Sequence, residues 1–147
     1  MTRKCDNEGL LLRFRSPASN HSVVFEDNGR VAYAYLLLGI EIIADVWLYN
    51  HGLPPQKADW SDPSKMPFQN PKGFACEACF TPIVSPTEIA MRWRESGSDF
   101  AADILLRDHL HAQLSSGSKP GRCVLAAKDG PLAKVLTVVA EANETSP

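Results

Sequence analysis

Alternation of apolar and polar positions dominates the first third of the chain. Val23 and Phe25 alternate with Ser22, Val24 and Glu26 up to Asn28-Gly29. That Asn-Gly pair supplies the positive backbone angles of a tight hairpin turn at little steric cost. Beyond it, Val31, Tyr33, Tyr35 and Leu37 take one face, and Ala32, Ala34, Leu36 and Leu38 the other. An apolar run on both faces predicts a central strand covered on two sides. Gly39 breaks the run, and Ile40 to Tyr49 reads as a third strand. Its apolar face carries Ile42, Ala44, Val46 and Leu48, and its other face carries Glu41 and Asp45 with Trp47 and Tyr49. Residues 21–49 are thus a predicted three-stranded antiparallel meander, with Leu10 to Arg15 as a further candidate strand.

Residues 87–115 invite a helix, but the period is wrong. Ile89, Met91 and Trp93 alternate with Glu88, Ala90, Arg92 and Arg94. The large apolar residues between Phe100 and Leu114 scatter around a wheel of about 100° per residue and leave no polar face. Strands are predicted at 87–95, 100–107 and 109–115, with turns at Ser96–Asp99 and near Asp108-His109. The competing assignment makes 99–115 a helix on one antiparallel sheet. A shift of 68 residues lays one meander on the other, putting Phe25 on Trp93, Ala34 on Ala102, Leu36 on Ile104, Ile42 on Leu110 and Val46 on Leu114. Two similar halves are the hypothesis this suggests.

Between the meanders lies a different kind of chain. Seven of the 11 prolines fall within 50–86. Proline lacks a backbone donor and disfavours helix at the residue before it, so no long regular element is expected there. Trp60, Phe68, Phe74 and Phe80 give this crossover an apolar side that can pack down. After a polar loop, Arg122 to Ala127 reads as a short strand. Asp129-Gly130-Pro131 followed by Leu132, Val135, Leu136 and Val139 predicts a helix over 131–141, and 142–147 should fray.

The expected fold class is therefore mainly β, at the margin of α+β. Two three-stranded antiparallel meanders pack as a sandwich or open roll, joined by the proline-rich crossover and closed by one C-terminal helix. The segments are 10–49, 50–86, 87–127 and 131–141, all in one domain over 1–147. Trp47, Trp93, Phe25, Tyr33, Leu37, Ile42, Leu106, Leu110 and Leu136 are the expected core.

Composition narrows the class further. The chain has 147 residues, 44% hydrophobic and 22% charged, which are globular values that exclude wholesale disorder. A net charge of −2 argues against nucleic acid or a membrane surface as the partner, though not against a local basic patch. No apolar stretch reaches signal-peptide or membrane-span character, because Gly39, Glu41 and Asp45 interrupt the longest one. Cytoplasm is the expected compartment. Cys5, Cys76, Cys79 and Cys123 do not resemble a secreted disulfide framework.

Three sets of residues carry candidate chemistry. Glycine-rich dinucleotide loops, phosphate loops, nucleophile elbows and paired-histidine protease helices are all absent from the sequence. Cys76-Glu77-Ala78-Cys79 places two thiolates at a spacing that can bite one zinc ion. His109 and His111, on one face of a strand, are the nearest expected partners, with Cys123, Cys5 or His51 as alternates. The reading preferred over zinc makes the same cysteines small buried apolar residues between Phe74 and Phe80. Asp45 or Glu41, on one face with Trp47 and Tyr49, is a candidate general acid or base with His51 or His111. The preferred reading is a face that is solvated or covered by the proline-rich segment, with Asp45 simply hydrogen-bonded. Arg92 and Arg94 on a strand, together with Trp60 and Phe68 on the crossover, are candidate binding residues. Lys119, Arg122, Lys128 and Lys134 add basic character. The functional expectation is a non-catalytic binding or interaction domain for a protein partner or for self-association, with no cofactor. A small Asp/His enzyme and a zinc-stabilised module are the alternatives.

Overall fold

Both alternating stretches fold as strands. The computed structural model describes residues 9–77, 80–96 and 99–137. The first sheet runs β1 (Leu10–Arg15), β2 (His21–Asp27), β3 (Val31–Leu38) and β4 (Glu41–Asn50), in sequence order and antiparallel throughout. The second runs β5 (Ile89–Ser96), β6 (Asp99–Leu106), β7 (His109–Ser115), β8 (Arg122–Cys123) and β9 (Lys134–Val135). Only the last pair, β8 with β9, is parallel. The protein is mainly β, and the region 99–115 is two strands rather than a helix.

The C-terminal expectation needs correction. Over 131–137 the chain makes a bend and then β9, not the first turns of a helix. The apolar spacing of Leu132, Val135 and Leu136 serves other contacts. The Leu132 carbonyl accepts from Trp47 N–H at 2.9 Å, and Leu136 N–H donates to the Cys123 carbonyl at 3.2 Å. Residues 138–147, with the rest of that helix and the frayed tail, lie outside the described residues. The only helical turns described are two short 3-10 segments, Pro63–Lys65 and Pro86–Glu88.

The shift of 68 holds strand for strand. The pairs Phe25↔Ala34, Leu36↔Ala44, Leu37↔Ile42 and Leu38↔Glu41 reappear as Trp93↔Ala102, Ile104↔Ala112, Leu105↔Leu110 and Leu106↔His109. Even the bulge repeats: Ile43 is the unpaired extra residue in β4, and His111 is its counterpart in β7. A bulge bends its strand and frees backbone groups from the ladder. The hairpin of the second meander turns on Arg107 and Asp108, both with positive φ (51° and 69°). That strain on non-glycine residues is held by Arg107 itself. Its N–H donates to the Glu88 carbonyl, and its Nε donates to the Glu88 carboxylate at 2.8 Å.

The two sheets share one hydrophobic core, which includes Val23, Phe25, Leu36, Val46 and Trp47 from the first and Phe100, Ile104, Leu114 and Cys123 from the second. Of the expected core, Phe25, Tyr33, Leu37, Trp47 and Leu106 are buried, and Trp93, Leu110 and Leu136 are half-buried. Ile42 is instead 47% exposed, because the Leu38–Ile42 hairpin projects past the core.

An exposed strand edge invites pairing with other chains, and here both inner meander edges are covered. β8 pairs with β7. The loop before β8 does the same for β4. Gly117 N–H donates to the Ile43 carbonyl, Asp45 N–H to the Ser118 carbonyl, and Gly121 N–H to the Asp45 carbonyl. Segment 117–135 therefore stitches one meander to the other. Gly121 is required at this seam, since a Cβ there would lie 2.4 Å from the Gln113 carbonyl oxygen.

Candidate functional site

The crossover positions much of the chemistry. Asn50 closes it at one point: its Nδ2 donates to the Asn70 carbonyl and its Oδ1 accepts from Asn70 N–H, a side chain imitating a strand pair. Tyr33 Oη donates to the Phe68 carbonyl at 2.7 Å. Trp60 packs edge-on against Phe74 at 5.0 Å. Trp60 and Phe68 are both half-buried, so part of each aromatic surface is spent on the protein itself.

The expected acid–base set does not come together. Asp45 and His51 lie six residues apart along and just past β4, roughly 20 Å by the rise of an extended strand. Asp45 is half-buried, and that burial raises its pKa despite Lys119 nearby. His111 is buried, and its Nε2 donates to the Leu48 carbonyl at 2.8 Å. Burial pushes its pKa down to about 4, outweighing that hydrogen bond, and Arg107 adds to the effect. His111 is therefore neutral at pH 7, with its proton fixed on Nε2. The Leu48 carbonyl, freed by a second bulge in β4, also accepts from the Cys123 thiol.

Of the expected metal ligands, Cys76, His109, His111, Cys123 and His51 fall among the described residues, and His111 and Cys123 share the Leu48 carbonyl. Cys79 lies outside the described residues, as does Cys5. Cys76 is half-buried, His109 is exposed, and His111 is committed to Leu48. Among the described residues no three His, Cys, Asp or Glu side chains gather closely enough to hold a metal ion. Burial of Cys123 pushes its thiol up to about 12, so it stays protonated at pH 7.

Two clusters stand out instead, one that the sequence reading missed and one whose basic residues it named without joining them. The first surrounds Asp27, the last residue of β2, which is 2% exposed. Its Oδ2 accepts from Tyr49 Oη at 2.6 Å, and its Oδ1 from Gly29 N–H at 2.8 Å and from His51 Nε2 at 2.7 Å. Tyr49 in turn accepts from Ile83 N–H at 3.0 Å. Burial and the Asp27 contact push the Tyr49 hydroxyl far above its usual range, so it stays protonated and donates to Asp27. Asp27 directly precedes the Asn28-Gly29 turn, and nothing in its local sequence announces partners 22 and 24 positions away.

The second cluster lies across the outer face of the second sheet. The register sets Arg92 opposite Asp103, Asp103 opposite Gln113, Gln113 opposite Arg122, and Arg122 opposite Lys134. Directly paired residues share a face, so these five side chains form one row across five strands. Asp103 is buried beneath the row. Arg94 grips both of its oxygens at 2.6 and 3.2 Å, Arg92 Nε adds a bond at 3.0 Å, and Gln113 another at 3.2 Å. Burial alone would raise the Asp103 pKa, but these guanidinium bonds more than reverse it and hold the carboxyl below its usual value. Arg92 and Arg94 remain 57% and 50% exposed, and Arg122 and Lys134 are exposed as well. A groove of about 310 Å³ runs along this face, lined by Arg94, Gln113, Ser115, Ser118, Arg122 and Lys134 among others. No described helix is long and apolar enough to cross a membrane. No family model, no curated protein and no solved structure matches this chain, which leaves the geometry of these two clusters as the ground for a functional reading.

Proposed function

We propose that this protein is a non-catalytic binding domain that holds an acidic segment of a protein partner on the outer face of the β5–β9 sheet. In this reading the two sheets are the layers of a single sandwich or open roll, which leaves that face turned to solvent. The row from Arg92 to Lys134 is the observation that carries it. With Arg94 it brings four cations onto one face, where the acidic residues are the buried Asp103 and, at the far end of β6, Asp99, in a chain whose net charge is −2. Asp103 orients the two strand arginines, and their exposed sides remain available for a second carboxylate. Arginine suits this role because its planar fork can hold one carboxylate and still offer donors to another. Gln113, Ser115 and Ser118 in the groove add neutral hydrogen-bonding groups that fit a peptide.

The test is fluorescence anisotropy with a labelled glutamate-rich decapeptide. Saturable binding is expected, weakening as salt rises. In the double variant Arg122→Glu/Lys134→Glu, both exposed positions, affinity should fall at least about tenfold, the cost of losing one good charged contact. Folding is checked by circular dichroism. Unchanged affinity in that variant, or tighter binding of a single-stranded oligonucleotide of equal charge, overturns the reading. The hairpin tip offers a second, apolar surface, with Leu38, Ile40 and Ile42 at 45%, 97% and 47% exposure. Sedimentation that shows a dimer dispersed by Ile40→Lys, with no peptide binding, would replace the acidic partner with self-association.

A further inference from the structure

The Asp27 cluster borders a second opening, unrelated to the basic face. A cleft of about 640 Å³ lies between Leu10 and the strap Thr81–Val84, with Asp27 and His51 also in its wall. That volume falls in the range of small-molecule sites, which are mostly apolar with a few placed polar groups. Leu10, Pro82, Ile83 and Val84 are the apolar wall.

The polar group is His51, whose chemistry is constrained by what lies behind it. Asp27 has no donor of its own, so the bond at 2.7 Å requires His51 Nε2 to carry the proton. In the neutral ring Nδ1 is then an acceptor. Among the described residues no donor reaches Nδ1, and the His51 side chain is 30% exposed beside the cleft. Asp27 itself is 2% exposed and already accepts from Tyr49, His51 and Gly29, so it fixes the ring and leaves the ligand contact to His51. A fixed imidazole acceptor next to an apolar wall selects a molecule with one hydroxyl and an apolar body.

We propose that this cleft binds a small hydroxylated apolar compound, of the phenol or alkanol class. Its O–H donates to His51 Nδ1, and its body lies along Leu10, Pro82, Ile83 and Val84. Asp27 is the positioning residue that sets the tautomer.

The experiment titrates p-cresol into protein carrying nitrogen-15 in its histidine rings, read by NMR, with toluene as the comparator of equal shape without the hydroxyl. Saturable millimolar binding that moves the His51 Nδ1 resonance is expected, with toluene about tenfold weaker, the usual worth of one hydrogen bond. Val84 is 76% exposed, so Val84→Glu should abolish the shift while leaving the fold and the Asp27–His51 bond in place. Equal affinity for toluene, a shift that persists in Val84→Glu, or no saturable shift at His51 each overturns the proposal. None of these readouts involves the acidic peptide, so the two proposals stand or fall separately.

Discussion

Asp27 and Asp103 are both aspartates at sheet positions, and both are 2% exposed, yet they are kept there by different means. Asp27 is held by a phenol, an imidazole and a backbone amide. Two of these come from the end of β4, and the phenol is itself tied to the crossover at Ile83. Asp103 is held by two guanidinium groups and an amide from the strands directly beside it. Among the partners of Asp27, Tyr49 is fully buried and its hydroxyl has no water to turn to. The partners of Asp103 are half in water. The first carboxylate joins distant parts of the chain, and the second organises a surface. A buried acceptor therefore matters to stability in proportion to how badly its donors would fare without it.

That contrast can be broken most directly at Asp27. Asp27→Ala strands the Tyr49 hydroxyl and the His51 ring at once, and should cost about 3–5 kcal/mol in urea unfolding. A loss under about 1 kcal/mol would show that water replaces the carboxylate.

Acid unfolding separates the interior from the surface. His111 has an ordinary pKa of 6.5 and a folded one of about 4, so between these values the unfolded chain takes up a proton that the folded one refuses. Stability from this group is complete above pH 6.5, falls as the pH drops through the window, and levels off below about 4. The shift corresponds to about 3 kcal/mol. Asp103, with its pKa lowered from 3.8, works in the same direction in a more acidic window: its contribution is present above 3.8 and lost below it. In His111→Leu the decline between pH 6.5 and 4 should flatten, while the steeper loss at lower pH remains. An unchanged decline would assign it to other groups.

The smallest effect belongs to the surface. Asp103→Asn keeps one acceptor and leaves both arginines solvated, so it should cost about 1–2 kcal/mol. Its clearer signature is on the face itself. With the anion removed, Arg92 and Arg94 lose their anchor, and affinity for the acidic peptide should change although neither arginine is altered. Unchanged peptide binding would mean that their orientation does not matter.

Much of the fold was legible because strands announce themselves locally. A period of two in Ile89 to Arg94 and in Val31 to Leu38 needs no knowledge of distant residues, and the shift of 68 was visible before any register was known. The helix expected over 131–141 failed at Lys134–Val135 for the complementary reason. A few apolar residues at helical spacing also suit a segment whose backbone donors and acceptors are claimed by neighbouring strands. The candidate site was far less legible. Arg92 and Arg94 were read as binding residues, but the row they begin exists only once β8 and β9 join the sheet. His51 was read with Asp45, a residue of the strand that it follows. Its observed partner, Asp27, is reached across the sheet, where β3 lies between β2 and β4.

The sequence by itself determined the period, the turns and the two similar halves, because each depends on backbone geometry and side chains within a few residues. Only the tertiary structure decided which carboxylate meets which donor, how segment 117–135 covers the β4 edge, and where five strands align their charges. Those outcomes depend on distances between residues far apart in the chain, which packing sets and no local pattern encodes.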